Sequence, residues 1–190
     1  MDPISKFKDL FEQIKKKGLP KAEAGFLATS SRKGIPSGRV VLLKGIEGEK
    51  LLFFTNYLSH KGRDLTENPL ASLVFWWDLL GVQIRFEGKI TRSSTQISDE
   101  YWDSRPFDSN ISGSVSQQSQ PIPSYKDLVS KAEAFKSQIK SQKVPRPENW
   151  GGYFLDPDRI EFWFDKPNRL HLRESFTRQG DNWVVQVLQP

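Results

Sequence analysis

The stretch IEFWFDKPNRLHLR, which runs from Ile160 to Arg173, predicts a β-hairpin and gives the first indication of the fold. It begins with apolar and aromatic residues, turns at the Asp-Lys-Pro-Asn run, and returns with Arg169, His171 and Arg173 at alternate positions. Because alternate residues of a strand point to one face, we expect these three side chains to line a single surface beside Trp163. Two cations, an imidazole and an indole on one surface indicate a binding site.

The chain on both sides of this hairpin shows similar short runs of β-branched or aromatic residues, separated by turn signals. The expected strands cover residues 25–30, 38–45, 50–55, 70–77, 82–92, 151–155, 159–164, 169–178 and 182–188. The first five follow one another through short turns and one helical stretch. This succession predicts a mainly antiparallel barrel or sandwich.

Helices flank these strands, so the expected fold is mainly β with flanking helices. The first helix is capped by Asp2, carries Pro3 in its first turn and ends near Gly18. Another begins near Ser59, and two more cover about residues 94–104 and 125–141.

The run between the last two helices, residues 109–124, is rich in Ser, Gln and Pro. Its composition alone leaves open a flexible linker and a functional loop. The chain shows neither an internal repeat nor a domain boundary, which predicts one domain over residues 1–190.

The composition narrows the classes of function. The 190-residue chain has no cysteine, which excludes disulfides and thiolate metal sites, and its two histidines, His60 and His171, are too widely separated to suggest a metal site. No apolar run reaches the ~18 residues of a membrane span, and the N-terminus lacks a signal-peptide core, so we expect a cytoplasmic protein without a membrane partner. The net charge of +5 favours anionic partners. Lys15, Lys16 and Lys17 complement the dipole at the end of the first helix, and the other basic residues are spread singly, so small phosphorylated ligands are favoured over nucleic acid.

One candidate phosphate site lies in FFTNYLSHKGRDL. Ser59, His60, Lys61 and Arg63 stand at the start of the predicted helix, where free N–H groups and the helix dipole attract anions. An ordinary serine cap with exposed basic residues explains the same pattern equally well.

Two further segments place cations where an anion or the solvent is needed. In the apolar strand GRVVLLK, Arg39 and Lys44 stand at the two ends, and snorkelling to solvent is the simpler explanation. In YWDSRPFDS, Tyr101 and Arg105 share one helix face and Ser109 follows, which suits a second phosphate. A helix end held by an Arg–Asp pair is the alternative.

Taken in order, these motifs resemble the pyridoxine/pyridoxamine 5′-phosphate oxidase family over nearly the whole chain. The matching segments are RVVLLK, FFTNxxSxK, VQIRFEGK, YWxSRPxDS, SxQS, VPRPxxWGGY and IEFW…RLHxR. The resemblance implies an FMN-binding split β-barrel and a homodimer with FMN at the subunit interface. It also implies oxidation of pyridoxine 5′-phosphate or pyridoxamine 5′-phosphate to pyridoxal 5′-phosphate, with O2 as acceptor and H2O2 as product.

The resemblance also implies roles for individual residues. The implied FMN-binding residues are Arg39, Val40, Val41, Leu42, Leu43, Lys44, Phe54, Thr55, His60, Lys61, Gln83, Gln118, Ser119, Trp163 and Arg173. The implied substrate-phosphate residues are Lys44, Tyr101, Arg105 and Ser109. Arg169 and His171 are implied to contact the substrate ring and to be catalytic. By the same resemblance, residues 109–124 contain a ligand loop.

The sequence departs from the family pattern at several positions. His60 stands where arginine is usual, Leu172 replaces an acidic or amide residue, Phe164 replaces a polar one, and Lys21 aligns with an expected acidic residue. The chain also begins close to its first helix, without the basic arm that covers substrate in many members. Two alternatives therefore stay open: a relative that oxidises another ring compound, as the phenazine-pathway oxidases do, and a flavin-binding protein without catalysis.

Overall fold

The structure is a computed structural model, and it describes residues 2–139 and 143–190. The described residues form five α-helices and nine β-strands, with short 3₁₀ turns at Asp78–Leu80 and Pro167–Arg169. The helices are α1 (Pro3–Lys16), α2 (His60–Glu67), α3 (Thr95–Ser104), α4 (Phe107–Val115) and α5 (Tyr125–Gln138). The strands are β1 (Ala24–Ser30), β2 (Pro36–Leu42), β3 (Gly45–Glu47), β4 (Lys50–Asn56), β5 (Leu70–Trp77), β6 (Val82–Arg92), β7 (Trp150–Phe164), β8 (Leu172–Gln179) and β9 (Asn182–Leu188). Not one of the described helices has the length and apolar character needed to cross a membrane.

All nine strands belong to one antiparallel sheet. Its main path is β2-β1-β5-β6-β7-β4-β3, and β8 and β9 extend it from β7. The 15-residue strand β7 pairs with β4 through its first half and with β8 through its second, while β6 runs along most of its length. Because one strand is shared in this way, the sheet curls around an enclosed core. The expectation of a mainly β, antiparallel fold with flanking helices is confirmed.

The barrel core is apolar and aromatic, and α1 closes one end of it. Ile4, Phe7 and Ile14 of α1 are buried, and Phe7 packs against Phe75 and Trp77 at ring-centroid distances of 5.3 and 5.5 Å. The predicted cap is confirmed, because the Asp2 carboxylate accepts hydrogen bonds from two backbone N–H groups of the first turn. A second apolar cluster lies beneath α3, α4 and α5 and contains Trp102, Ile111, Val144 and Trp150.

Two strands predicted over 151–155 and 159–164 are in fact the single strand β7. The residues between them include Pro157, which reads as a break. It stands at a bulge: Glu87 pairs with Arg159 and Gly88 with Pro157, so Asp158 is an extra residue without a partner across the ladder. Proline is tolerated at such a position because no ladder N–H is required. A Cβ on Gly88 would lie 2.1 Å from a β7 carbonyl oxygen, which explains the glycine there.

The Ser/Gln/Pro-rich run is not a loop throughout. Its first part, up to Val115, belongs to α4, because Asn110 and Ile111 are buried against Trp102 and the Asn110 amide donates to the Trp102 carbonyl oxygen at 3.0 Å. Only residues 116–124 form the loop before α5. The helix predicted over 125–141 is present to Gln138, and the end predicted at Ser141 lies outside the described residues.

Candidate active site

Lys61 is the centre of the first group of site residues. Ser59 caps α2 in an extended conformation and accepts a hydrogen bond from the Gly62 N–H, so Lys61 lies in the first turn. Lys61 is only 8% exposed, and its Nζ donates to Thr55 Oγ1 at 3.1 Å, Ser59 Oγ at 3.2 Å and Gln118 Oε1 at 2.9 Å. All three acceptors are neutral. Burial, with a smaller contribution from the nearby Arg39, lowers the pKa of Lys61 to about 8.

The second cation of this group, Arg39, is anchored by hydroxyls and a buried carboxylate. Its guanidinium donates to Thr29 Oγ1 at 2.7 Å and Ser37 Oγ at 2.6 Å, and lies 3.9 Å from Asp64 Oδ2. Thr29 in turn donates to Asp64 at 2.7 Å. Burial lowers the pKa of Arg39. His60 is exposed, with Nε2 3.6 Å from Asp64 Oδ1, so it lies at the rim of this group.

This arrangement suits an anion. Asp64 is the only described carboxylate in salt-bridge contact with Arg39 or His60, and no described carboxylate forms a salt bridge with Lys61. One cation therefore remains uncompensated in a buried position, at a helix N-terminus whose free N–H groups also favour negative charge. A phosphate group would supply both the missing charge and several acceptor oxygens.

Arg105 is the centre of a second group, which is mainly aromatic. Its guanidinium lies 4.7 Å from the ring centroid of Trp102 and 4.6 Å from that of Trp150. Its Nη2 donates to the Ser109 carbonyl oxygen at 3.0 Å, whereas its Nη1 is buried without a hydrogen-bond partner. Burial lowers the pKa of Arg105. The alternative of an Arg–Asp pair at this helix end is wrong, because Arg105 forms no salt bridge with Asp103 or Asp108.

The other residues predicted for a substrate phosphate lie close to Arg105. Tyr101 stacks on Phe54 at 3.9 Å between ring centroids, and Lys44 Nζ lies 6.0 Å from the Tyr101 ring. Lys44 is exposed and lies between β2 and β3, beyond the strand that was expected to contain it. Arg105 and Ser109 line a cavity of about 580 Å³ together with Gln118. Gln118 therefore connects this cavity to Lys61.

Of the remaining residues predicted to bind FMN on this side of the molecule, some are buried and others are exposed. Val41 and Leu43 are buried in the barrel, whereas Val40 and Leu42 are exposed on its outer face. The loop residue Ser119 is exposed and has a backbone φ of +71°, directly after Gln118.

A third group lies on the outer face of β6, β7 and β8. Gln83 pairs with Trp163 and Trp163 pairs with Arg173 across the three strands, so these side chains share one face. His171 lies just before β8, with its ring 4.3 Å from that of Trp163, and its Nδ1 accepts a hydrogen bond from the Lys166 N–H at 3.2 Å. His171 Nδ1 also lies 3.2 Å from Asp165 Oδ1.

The prediction that Arg169, His171 and Arg173 alternate along one strand is wrong, because Arg169 and His171 both precede β8. Strand β8 begins only at Leu172, and Arg169 ends a 3₁₀ turn in which Asn168 and Arg169 have φ values of +58° and +60°. Pro167 fixes the start of this turn and prevents an extended return. Arg169 is exposed and its side chain forms no hydrogen bond or salt bridge with any other described residue.

The structure thus brings the predicted residues together in two places and not in one. Lys61, Arg39 and the Arg105 group lie on one side, and the Trp163 group lies on another. No hydrogen bond, salt bridge or ring contact among the described residues joins the two sides.

Sequence reasoning missed three residues that organise these groups. Asp64 holds Arg39 and is four residues after His60, and Thr29 joins it from β1. Glu161 is buried in β7, and its Oε1 lies 2.9 Å from both Nε and Nη2 of Arg173. The usable signal for Glu161 was its position two residues before Trp163, which places both on one strand face.

The curled antiparallel sheet, in which one long strand is shared between two halves, defines the class of split β-barrels, and comparison with known proteins agrees. The family model described as "Pyridoxamine 5'-phosphate oxidase" matches residues 11–138, and that described as "Pyridoxine 5'-phosphate oxidase C-terminal dimerisation region" matches residues 150–190. The chain belongs to the pyridoxine/pyridoxamine 5′-phosphate oxidase family.

Relatives of the same name cover the whole chain. A pyridoxine/pyridoxamine 5′-phosphate oxidase of Cyanothece sp. is 41% identical over 189 residues, which is 100% of this chain and 89% of the relative. That of Thermosynechococcus vestitus is 44% identical over 189 residues, with the same coverage.

Two solved structures resemble the whole fold. PhzG from Burkholderia lata, solved in complex with tetrahydrophenazine-1-carboxylic acid, has a TM-score of 0.93 and 30% identity, covering 100% of this chain and 93% of that one. A pyridoxamine 5′-phosphate oxidase-related, FMN-binding protein from Nostoc punctiforme has a TM-score of 0.81 at 18% identity, with 100% and 99% coverage, and so supports the fold alone. The expected FMN-binding split β-barrel fold is confirmed.

Proposed function

We propose that this chain is an FMN-dependent oxidase that converts pyridoxine 5′-phosphate or pyridoxamine 5′-phosphate to pyridoxal 5′-phosphate, with O2 reduced to H2O2. The observation that carries the proposal is the presence of two separate cations, the buried Lys61 and the half-buried Arg105 with its buried Nη1, neither of which forms a salt bridge with any described carboxylate. A phosphorylated cofactor and a phosphorylated substrate require two such positions. Gln118 connects them, since it accepts from Lys61 and lines the cavity of Arg105.

The first group fits the phosphate of FMN. Lys61 and Arg39 would neutralise the charge, while Ser59 Oγ and Thr55 Oγ1, which now accept from Lys61, lie within reach of the same oxygens. His60 at the rim would add a cation only when it is protonated. Bound FMN would supply the redox chemistry by accepting a hydride from the substrate and delivering the electrons to O2.

The Arg105 group fits the phosphate of a B6 vitamer. Two adjacent tryptophan rings, which meet edge to face, pack against the guanidinium, so its orientation is restricted before any ligand arrives. Its unpartnered Nη1 offers a donor that costs free energy to leave unsatisfied. Ser109 lines the same cavity, and Tyr101 and Lys44 are proposed to complete the phosphate contacts. His171 and Arg169 would then orient the pyridine ring from the other group.

The separation of the two sides supports a homodimer in which each site draws on both copies. Gln83, Trp163 and Arg173 share the outer sheet face with Trp76, whose ring lies 6.0 Å from that of Trp163. Trp76 is 53% exposed and Val40 is 64% exposed, which is unusual for residues of this size and type. Contact with a second copy would bury this apolar surface and bring its Trp163 group to the Lys61 group of the first.

A relative acting on another ring compound is the second candidate. The similarity to PhzG, whose structure holds tetrahydrophenazine-1-carboxylic acid, extends over the whole chain. In addition, Leu170 and Leu172 flank His171 and are 72% and 36% exposed, which makes this part of the site more apolar. Arg105 could pair with a carboxylate or with a phosphate, and the neighbouring Tyr101 and Ser109 hydroxyls favour the phosphate, which has more acceptor oxygens.

The test is an aerobic assay of the purified protein with FMN. Pyridoxamine 5′-phosphate, pyridoxine 5′-phosphate and unphosphorylated pyridoxamine are each supplied, and aldehyde and H2O2 are measured together. Equal yields of aldehyde and H2O2 from both phosphorylated substrates, with little from pyridoxamine, are expected. Tetrahydrophenazine-1-carboxylic acid is supplied in a parallel assay, and turnover of this compound alone would support the second candidate. FMN binding without turnover of any of these compounds would indicate a flavin-binding protein without catalysis.

Light scattering tests the dimer independently. The chain has a mass of 21.9 kDa, so a homodimer has twice this mass. An FMN-loaded species at the mass of one chain would contradict the composite site.

A further inference from the structure

The outer face of β6, β7 and β8 carries a regular array of charged side chains behind the Trp163 group. Residues paired across antiparallel strands share a face, so the register defines rows that run across the three strands. Counted from the turn between β7 and β8, the rows are Gln83–Trp163–Arg173, Arg85–Glu161–Ser175 and Glu87–Arg159–Thr177. Glu161 therefore stands in the centre of the array, one row behind the residues proposed to contact FMN.

Glu161 is bound by three guanidinium groups. Its Oε1 accepts from Arg173 Nε at 2.9 Å and lies 2.9 Å from Arg173 Nη2, so the arginine is held through two nitrogens. Its Oε2 accepts from Arg85 at 2.7 Å and from Arg159 at 3.4 Å. The Glu161 side chain is only 3% exposed, whereas each of these arginines is partly exposed.

The array leaves one positive charge in surplus. Among the described residues, Glu161 and Glu87 are the carboxylates that form salt bridges with the three arginines, and Glu87 contacts Arg85 at 2.8 Å and Arg159 at 3.7 Å but not Arg173. Arg173 also donates through Nη1 to the Gln189 carbonyl oxygen at 2.9 Å. A guanidinium has five N–H donors, so Arg173 keeps donors available while two of its nitrogens are fixed by one carboxylate.

We propose that Glu161 is a positioning residue, which holds the Arg173 guanidinium in the orientation that binds FMN and stabilises the reduced flavin. The inference rests on the proposed function, because it assigns the held arginine to the flavin. Arg85 and Arg159 act behind it by fixing the second carboxylate oxygen. Glu161 thus cannot rotate away from Arg173 without losing two further charge-assisted contacts.

A double-mutant cycle on FMN binding tests this role. The full-length variants Glu161→Gln, Arg173→Ala and the double variant are titrated with FMN, following quenching of flavin fluorescence, and the thermal unfolding of each apoprotein is recorded. Glu161→Gln is expected to weaken FMN binding by about 10- to 100-fold in the native background. In the Arg173→Ala background the same change is expected to alter the dissociation constant by less than about twofold, because Glu161 acts through Arg173.

The midpoint potential of the bound flavin separates positioning from a simple loss of charge. Removal of a nearby negative charge raises the potential, because the reduced, anionic flavin is then less repelled. Loss of a correctly held arginine lowers the potential. Glu161→Gln is therefore expected to lower it, whereas Glu87→Gln is expected to leave FMN affinity within about twofold and not to lower the potential. Glu87 is the matched control because it contacts two of the same arginines but not Arg173.

Glu161→Asp is the alternative variant for testing the positioning role if Glu161→Gln does not fold. It retains the charge but withdraws the carboxylate by one methylene, so FMN affinity is expected to fall while the apoprotein still unfolds cooperatively. If replacing Glu161 weakened FMN binding equally in the native chain and in Arg173→Ala, the positioning role would be wrong. A raised flavin potential in Glu161→Gln would also overturn it. Neither result would contradict the proposed function. If the native chain bound no FMN, the proposed function itself would fail, and this inference with it.

Discussion

Replacing Lys61 by methionine is expected to stabilise the apoprotein and at the same time to weaken FMN binding. Lys61 is buried with three neutral acceptors, so the folded apoprotein holds an ammonium group that is better solvated in the unfolded chain. Methionine has a similar length and flexibility and carries no charge, so it can occupy the same space without that penalty.

The size of the effect follows from the pKa. Burial lowers the pKa of Lys61 from the ordinary value of 10.5 to about 8. Since one pKa unit corresponds to about 1.4 kcal/mol, the charged side chain disfavours folding by roughly 3 kcal/mol at neutral pH. Methionine also removes the donor for three acceptors, which offsets part of this gain. A net increase of about 1–2 kcal/mol in the free energy of unfolding is therefore expected at pH 7.

The pH dependence of the free energy of unfolding shows whether Lys61 stabilises or destabilises the apoprotein. Between pH 8 and 10.5 the unfolded chain binds more protons at Lys61 than the folded chain, so this group makes stability rise with pH across that window. The penalty is fully present below about pH 8 and is relieved above about pH 10.5. The stability advantage of Lys61→Met is thus expected to be constant at neutral pH and to shrink as the pH rises.

The assay is urea unfolding of apoprotein at several pH values from neutral to about 10, for the native chain and Lys61→Met. Lys89→Met serves as the control, because Lys89 is exposed on β6 and its replacement is expected to change stability by less than about 0.5 kcal/mol. FMN titrations of the same proteins are expected to show a loss of affinity of about 10- to 150-fold for Lys61→Met only. A less stable Lys61→Met apoprotein, or an advantage that does not change with pH, would refute the reasoning.

The remaining predictions concern substrate contacts and backbone positions. Arg105→Ala is expected to raise KM for pyridoxamine 5′-phosphate by about 10- to 150-fold with little effect on kcat, because a phosphate contact acts in ground and transition states alike. Arg169→Ala is expected to lower kcat, and steady-state kinetics of both variants distinguish these effects. Gly62→Ala is expected to destabilise the protein by about 1–3 kcal/mol in urea unfolding, since the new Cβ would lie 2.0 Å from the Tyr57 carbonyl oxygen. Asn168→Gly is expected to retain or slightly increase stability, and Asn168→Ala to lose about 1 kcal/mol, because the backbone φ there is +58°.

Local patterns predicted most of the elements but not how they are joined. The Asp2 cap with an apolar stripe identified α1, and turn signals identified the strands. The sequence pattern divided β7 into strands over 151–155 and 159–164, and Pro157 lies between them. Its tolerance at a bulge depends on the register with β6, which is a property of the paired sheet and not of the local sequence.

The candidate site was predictable where chemistry and spacing coincide, as at Ser59 and Lys61. The role of Asp64 was not, because its partner Thr29 lies 35 residues away and the contact exists only after β1 and α2 are packed together. Likewise, the prediction that Arg169 alternates with His171 and Arg173 assumed that the chain is extended after Pro167. Two successive residues with positive φ form a turn there instead. Such a conformation is rare outside glycine, so composition gives little warning of it.

The Lys61 group and the Glu161 array share one electrostatic feature. In each, a buried carboxylate contacts arginine: Asp64 is 4% exposed beside Arg39, and Glu161 is 3% exposed among three arginines. Among the described residues each nevertheless keeps one cation in surplus, and an unpaired cation in a region of low dielectric favours the binding of an anion. If FMN lies between two copies, as proposed, its phosphate would use the surplus of one copy and its ring the surplus of the other. Cofactor binding and dimer formation are therefore expected to strengthen each other.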